Sequence, residues 1–142
     1  MSIDRSASAQ WSGGLKTGRG SLTTQSGVLS AAPYGFSSRF EGQPGTNPEE
    51  LIGAAHAGCF TMQLSALLEK AGLTAERLET KAVVSLEKDA TGFAIPRIKL
   101  TLTGKVPGAS DEAFQKIAAE AKAICPVSRL LKAEISLEAR LA

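Results

Sequence analysis

Hydrophobic positions change their spacing several times along the chain, and each change marks an element. Across residues 9–31, which contain QWSGGLKTGRGSLTTQSGVLS, polar and apolar residues alternate loosely between SGG, TGRG and QSG. That reads as short strands joined by glycine turns. In residues 32–47, APYGFSSRFEGQPGTN, the alternation stops. Pro33, Gly35, Gly42, Pro44 and Gly45 break any regular element there and predict a loop. A loop of that length in a small domain is often functional. From Pro48 onward apolar and small residues fill most positions, which predicts one long helix over 48–71. Asn47 is placed to cap it and Pro48 suits its first position. Glu49 and Glu50 lie at the positive end of its dipole, and Gly72 lies just past its end. Gly53 and Gly58 inside it each cost about 1 kcal/mol of helix propensity. Their presence predicts a second backbone packed close by.

RLETKAVVSLEKD and FAIPRIKLTLTGKV read as two strands of a hairpin turning on ATG. DEAFQKIAAEAKAI, residues 111–124, is an amphipathic helix with Phe114, Ile117, Ala118 and Ala121 on one face. CPVSRLLKA begins a second, short helix, and EISLEARL alternates as a final strand. Strands, long helix, hairpin, two helices and a strand make one α+β domain over residues 1–142.

Leu51 to Leu68 holds no formally charged residue when His56 is neutral, and it is long enough to span a bilayer. His56, Thr61, Gln63, Ser65 and the many Ala and Gly residues predict instead a helix buried in a core or subunit interface. The formal net charge is +2, the basic residues are scattered, and the aromatics are five Phe, one Trp and one Tyr. This argues against nucleic-acid binding. MSIDRSASAQW has no apolar run and does not read as a secretory leader. GGLKTGRG lacks the Gly-Lys-Ser/Thr ending of a phosphate loop, so its glycines read as turns.

Candidate chemistry rests on two thiols. Cys59 and Cys125 carry no signal for secretion, and in a reducing compartment such a pair is free, catalytic or redox-sensing rather than a permanent staple. With no Cys-x-x-Cys and a single histidine, the chain lacks ligands for a zinc site, and no metal is expected. Cys125 precedes Pro126, the first residue of a predicted helix, where amide hydrogens stabilise a thiolate. The alternative is an inert, buried capping cysteine. Cys59 lies in mid-helix, and its local reading is a small packed hydrophobe with His56 as its only titratable neighbour. A Cys–His hydrolase would need a third residue to orient the base and an oxyanion hole, and neither is evident. His56 therefore reads as structural.

Glu49 and Glu50 divide the work. With Asn47 as cap, Glu50 is the third helical residue and can reach back to the cap, leaving Glu49 free. With Thr46 as cap the roles exchange. Glu49 and Cys59 lie ten positions apart, about 15 Å of rise on a straight helix and about 80° apart in azimuth. If both serve one site, the helix breaks or Glu49 comes from a second subunit, which points to an interlocked dimer with two shared sites.

PYGFSSRFEGQPGTNPEELIGAAHAGCF, AICPVSRLLKAEISLEA and the earlier SGVLS together resemble the osmotically inducible protein C (OsmC) family. The likeness is to the OsmC branch of the OsmC and organic hydroperoxide resistance superfamily and spans almost the whole chain. It implies antiparallel sheets wrapped around long central helices in an intertwined homodimer. It implies a cytoplasmic thiol peroxidase that reduces organic hydroperoxides and, less efficiently, hydrogen peroxide. No metal or organic cofactor is implied, and the reductant would be a dithiol, the kind that in the best-understood branch is of the lipoyl type. By position, Cys59 would be the peroxidatic cysteine and Cys125 the resolving one. Arg39 would hold the thiolate and peroxide, and Glu49 would orient Arg39, both reaching Cys59 from the partner chain. The sister branch takes its arginine from an earlier glycine-rich segment, which here contains Lys16 and Arg19. Phe40 and Phe60 are candidates to receive the organic part of the substrate, although core packing suits Phe60 better.

Overall fold

Short strands open the chain, as the glycine punctuation predicts. In the computed structural model, which describes all residues 1–142, β1 (Ala7–Ser12), β2 (Arg19–Thr24) and β3 (Ala32–Tyr34) pair antiparallel in that order. The predicted loop over 32–47 is corrected in its first part. It contains β3, paired to β2 through Gly20–Tyr34 and Leu22–Ala32, and a short helix α1 (Phe36–Phe40). Tertiary hydrogen bonds hold this helix where its composition does not favour one. The Ser38 hydroxyl accepts from the Gly35 amide at 2.9 Å and donates to the Thr46 carbonyl at 2.9 Å.

Helix α2 (Pro48–Lys70) runs unbroken for 23 residues. Its start follows the Asn47 register. The Glu50 amide donates to Asn47 Oδ1 at 2.8 Å, so Asn47 caps the third helical residue. The capping box is not closed, because the Glu50 carboxylate accepts from the Thr46 hydroxyl at 2.7 Å instead. Two residues past its end stands Gly72, whose φ of +77° suits glycine, with the Leu73 amide returning to Leu68 O at 2.8 Å.

The chain divides into two compact units, Met1–Leu51 and Ile52–Ala142. The first contains no buried hydrophobic side chain; its buried residues are Ser38 and Glu49. The second contains the hydrophobic core. There β4 (Arg77–Asp89) and β5 (Gly92–Lys105) form the expected hairpin, with a bulge between Ser85 and Glu87. Helices α3 (Asp111–Ile124) and α4 (Pro126–Leu130) follow, then β6 (Glu134–Leu141). The expectation of antiparallel sheets holds for the first sheet and the hairpin, but β6 lies parallel to β5 and makes the second sheet mixed. The physical reason is the connection: α3 and α4 supply the long crossover that a parallel neighbour requires.

Alternation along the strands sends Ile98, Leu100 and Leu102 of β5 inward to meet Phe60, Leu64 and Leu68 of α2 and Phe114, Ala118 and Ala121 of α3, all fully buried. Ile117 packs against this core while partly exposed. By length and apolar character α2 could cross a membrane; the face it buries against the sheet supports the core-helix reading. The two helical glycines differ. A Cβ on Gly53 would stand 3.4 Å from Val84 Cγ2 and 3.6 Å from Ala82 O, the close approach expected. A Cβ on Gly58 would meet open space, so within this chain that expectation is not met.

Candidate active site

The sequence-predicted residues fall into two groups, one in each unit. In Met1–Leu51, α1 carries Arg39 and the first turn of α2 carries Glu49. The guanidinium engages the carboxylate along one edge: Nη2 donates to Oε1 at 2.6 Å, and Nε lies 3.1 and 3.2 Å from Oε1 and Oε2. Glu49 is buried and Arg39 half-exposed, so this is a paired, charge-assisted fork rather than a mobile surface contact. The Ser38 bonds described above and a 3.4 Å bond from Asn47 Nδ2 to Ser38 O tie α1 to the start of α2, which holds the two charges in register. Beside Arg39 lies an almost entirely apolar cavity of about 210 Å³ lined by Trp11, Leu15, Tyr34, Phe36 and Phe40. Phe40 thus lines a cavity, as a candidate to receive an organic group should. Phe60 is fully buried in the core. Of the alternative cations, Lys16 places its ammonium 5.4 Å from the centre of the Phe36 ring, and Arg19 opens β2.

In Ile52–Ala142, α2 carries Cys59 and the residue before α4 carries Cys125. Both are free thiols, 66 positions apart in sequence, with sulfurs 2.9 Å apart. Nothing local in the sequence pairs them. A disulfide needs an S–S distance of about 2.05 Å, so a small movement suffices to join them. Their titrations are linked. Burial, and then the hydrogen bond shared with Cys125, push the Cys59 thiol above its ordinary range. Burial also opposes ionisation of Cys125, but hydrogen bonds from Cys59, the Ser128 amide and hydroxyl, and the Val127 amide outweigh it and bring Cys125 below. Within one chain the sulfur better suited to carry charge is therefore Cys125, in agreement with the local reading.

His56 is fully buried, and its partner is Ser128: Nε2 lies 2.8 Å from the hydroxyl oxygen. Burial lowers its pKa, so the imidazole is neutral near pH 7. This pairing was not anticipated, although both residues stand three positions from a cysteine, a legible signal. No group of three or more His, Cys, Asp and Glu residues is placed to hold a metal ion.

Two free thiols brought within bonding reach on an α+β scaffold define a protein whose sulfurs can pass between reduced and bonded states. The chain belongs to the OsmC-like protein family, whose model matches residues 40–140. It is 52% identical over 141 residues to the peroxiredoxin OsmC of Escherichia coli, covering 99% of both chains. It is 30% identical over 124 residues to the organic hydroperoxide resistance protein OhrB of Bacillus subtilis, covering 86% of this chain and 88% of that one. The crystal structure of OhrB superposes with a TM-score of 0.68 at 28% identity, covering 96% and 98% of the two chains. An OsmC-like protein of unknown function from Vibrio cholerae superposes with a TM-score of 0.78 at 18% identity, which shows the shared fold.

Proposed function

We infer that this protein is a cysteine-based peroxidase that reduces organic hydroperoxides to alcohols and is recycled by a dithiol. The observation that carries this reading is the 2.9 Å approach of two free sulfurs in a chain so closely related to a peroxiredoxin. Cys59 is the peroxidatic residue. Its thiolate attacks the terminal oxygen of ROOH, the O–O bond breaks, ROH leaves and a sulfenic acid remains. Cys125 attacks that sulfur, the S–O bond breaks, and a disulfide and water form. A dithiol then reopens the disulfide by exchange. Hydrogen peroxide is a poorer substrate because it has no organic group for the apolar cavity beside Arg39.

Arg39 serves twice, stabilising the Cys59 thiolate and the charge that develops on the leaving oxygen. Glu49 fixes the guanidinium. The pair acts on Cys59 across the interface of a homodimer, the partner subunit's Arg39 and the partner's Glu49 completing each site. Four observations favour this arrangement. Helix α2 does not break between Glu49 and Cys59. The surroundings of Cys59 in its own chain raise its pKa, so its activation needs a cation from elsewhere. Residues 1–51 fold without a buried hydrophobic side chain, and one domain completed by a second subunit would cover their apolar groups. Ala54, Ala55, Gly58 and Met62 form an exposed strip on α2, with Gly58 open to close approach. The cytoplasm suits the cycle, since both thiols must be returned to the reduced state.

The test mixes reduced protein with substoichiometric cumene hydroperoxide, then adds a lipoyl-type dithiol. Repeated peroxide loss is expected. A single oxidation without recycling would instead make the protein a redox-responsive binding module. Parental cycling by Cys125→Ser would overturn the two-cysteine mechanism. Sedimentation of the reduced protein should give a dimer, and a monomer with full activity would remove the shared site.

A further inference from the structure

His56 and Ser128 are unused by the cycle just described, yet their placement is ordered. On α2, His56 and Cys59 are three positions apart and share a face; across from them, Cys125 and Ser128 are also three positions apart. The two pairs meet as a ladder with two rungs, imidazole to hydroxyl at 2.8 Å and sulfur to sulfur at 2.9 Å. Ser128 is the third residue of α4 and Cys125 the residue that precedes the helix, so the serine stands one turn past the cysteine. The groups run in the order His56, Ser128, Cys125, Cys59.

The direction of the line follows from elimination. His56 is fully buried and Nδ1 has no hydrogen-bond partner. An orphaned buried donor is costlier than an orphaned acceptor lone pair, so Nδ1 is bare and Nε2 carries the hydrogen. Nε2–H then donates to Ser128 Oγ, and the hydroxyl hydrogen is left to donate to Cys125. An imidazolium at this position would place an unpaired charge in an apolar interior. Every neighbouring element turns an apolar face inward. Around α2 these are Ala82 and Val84 of β4, Ile98 and Leu100 of β5, Ile135 and Leu137 of β6, and Ala118 and Ala121 of α3. Glu79, Lys81, Arg97, Lys99, Glu134 and Glu138 alternate onto the opposite faces of their strands. Helix α3 carries the part-buried Lys122, whose ammonium donates to the Ile135 carbonyl at 3.3 Å, and α4 the exposed Arg129; the fully buried titratable groups of this unit are His56 and Cys125.

We propose that Ser128 and His56 form a hydrogen-bond donor chain, imidazole to hydroxyl to sulfur, that holds Cys125 as the attacking thiolate in disulfide formation. By donating to the reacting sulfur, Ser128 is a further catalytic residue; His56 is a positioning residue acting through it, by donating rather than as a base. The inference rests on the two-cysteine cycle. In the step concerned, Cys125 sulfur bonds to Cys59 sulfur and the Cys59 S–O bond breaks. The departing hydroxide leaves as water with the proton that Cys125 had released. On reduction the same donors stabilise Cys125 as the leaving thiolate.

A single-turnover experiment tests this. Reduced protein receives one equivalent of cumene hydroperoxide, and samples are quenched with dimedone between pH 5 and 9, so that mass spectrometry counts sulfenic acid and disulfide. The first phase, peroxide loss, reports Cys59; the second, sulfenic acid decay, reports Cys125. Ser128→Ala should slow the second phase by about 10- to 100-fold, the range for one hydrogen bond to a charged group, and move its pH midpoint upward. Ser128→Thr, which keeps the hydroxyl, should restore both. His56→Leu should behave as Ser128→Ala, and His56→Gln, a donor that cannot titrate, should stay near the parent. A parental second phase in Ser128→Ala overturns the proposal, and this variant decides the matter if His56→Leu fails to fold. His56→Gln as slow as His56→Leu overturns the donor role. A parent without a first phase sinks the peroxidase reading itself.

Discussion

Residues 52–142 bury Phe60, Leu64, Leu68, Ile98, Leu100, Leu102 and Phe114 completely, whereas residues 1–51 bury no hydrophobic side chain at all. The contrast extends to chemistry. The second unit carries two free sulfurs in the wall of an apolar core. The first carries a guanidinium held by a buried carboxylate, with an open apolar cavity beside it. A core of this kind supplies shape and low polarity, which burden a thiolate; a half-exposed guanidinium supplies the positive charge that a thiolate needs. Each unit lacks what the other has, and this contrast is what motivates the proposal of a shared site.

The largest effect that can break this contrast lies at the sulfurs. Cys59→Ser should reduce peroxide turnover to the uncatalysed rate, while Cys125→Ser should allow one oxidation and leave a sulfenic acid that dimedone traps. Both are read by peroxide loss against time. Phenylalanines sharpen the comparison next, since each unit has one to compare. Phe60→Ala should cost about 3–5 kcal/mol in denaturant unfolding, as for a large side chain removed from a packed core. Phe40 is 37% exposed. Phe40→Ala should change stability by about 1 kcal/mol or less and instead raise KM for bulky hydroperoxides relative to hydrogen peroxide.

Arg39 tests whether charge in the first unit serves sulfur in the second. Arg39→Ala should lower kcat by about 10²- to 10³-fold, the cost of losing one preorganised donor to a developing oxyanion. The alkylation rate of Cys59 should fall with it, because the thiolate loses its cation. Glu49→Gln should fall less, since it loosens the guanidinium without removing it. Lys16→Ala and Arg19→Ala should remain within about twofold of the parent if Arg39 is the activating residue; their collapse with Arg39→Ala intact would transfer that role to the earlier segment.

What could be read in advance follows the reach of each interaction. The two ends of α2 were legible because Asn47, Pro48 and Gly72 act on their immediate neighbours, and the β4–β5 hairpin because its two strands adjoin. Helix α1 was not. Gly35, Gly42, Pro44 and Gly45 point to a loop, and what holds the helix is the Ser38 hydroxyl on the Thr46 carbonyl, which no local rule foresees. The parallel placement of β6 is equally non-local, since alternation identifies a strand but not its neighbour. At the site, resemblance supplied the roles of Cys59 and Cys125; local physics singled out Cys125 alone. The Arg39–Glu49 pairing also came from resemblance, and the structure brings those two side chains together. Ser128 was not legible because a serine in a short helix has no significance until the imidazole 72 positions away stands against it.

The smallest effect concerns His56, the one histidine and a member of the unit with the core. Burial lowers its pKa below the ordinary value of 6.5. Above pH 6.5 the residue is neutral whether the chain is folded or not, and it leaves stability independent of pH. Below 6.5 the unfolded chain takes up a proton that the folded chain resists, so unfolding binds protons and stability falls as pH falls. The loss continues until the lowered folded value is reached. Its slope cannot exceed one proton, about 1.4 kcal/mol per pH unit. Thermal unfolding from pH 7.5 to 5.5 should therefore show a decline beginning near 6.5, and His56→Gln should remove that component while leaving the carboxylate-driven losses at lower pH. An unchanged decline in His56→Gln would mean that the imidazole titrates in the folded chain as freely as in water. Such an imidazole would not be the neutral, fully desolvated donor that its contact with Ser128 requires.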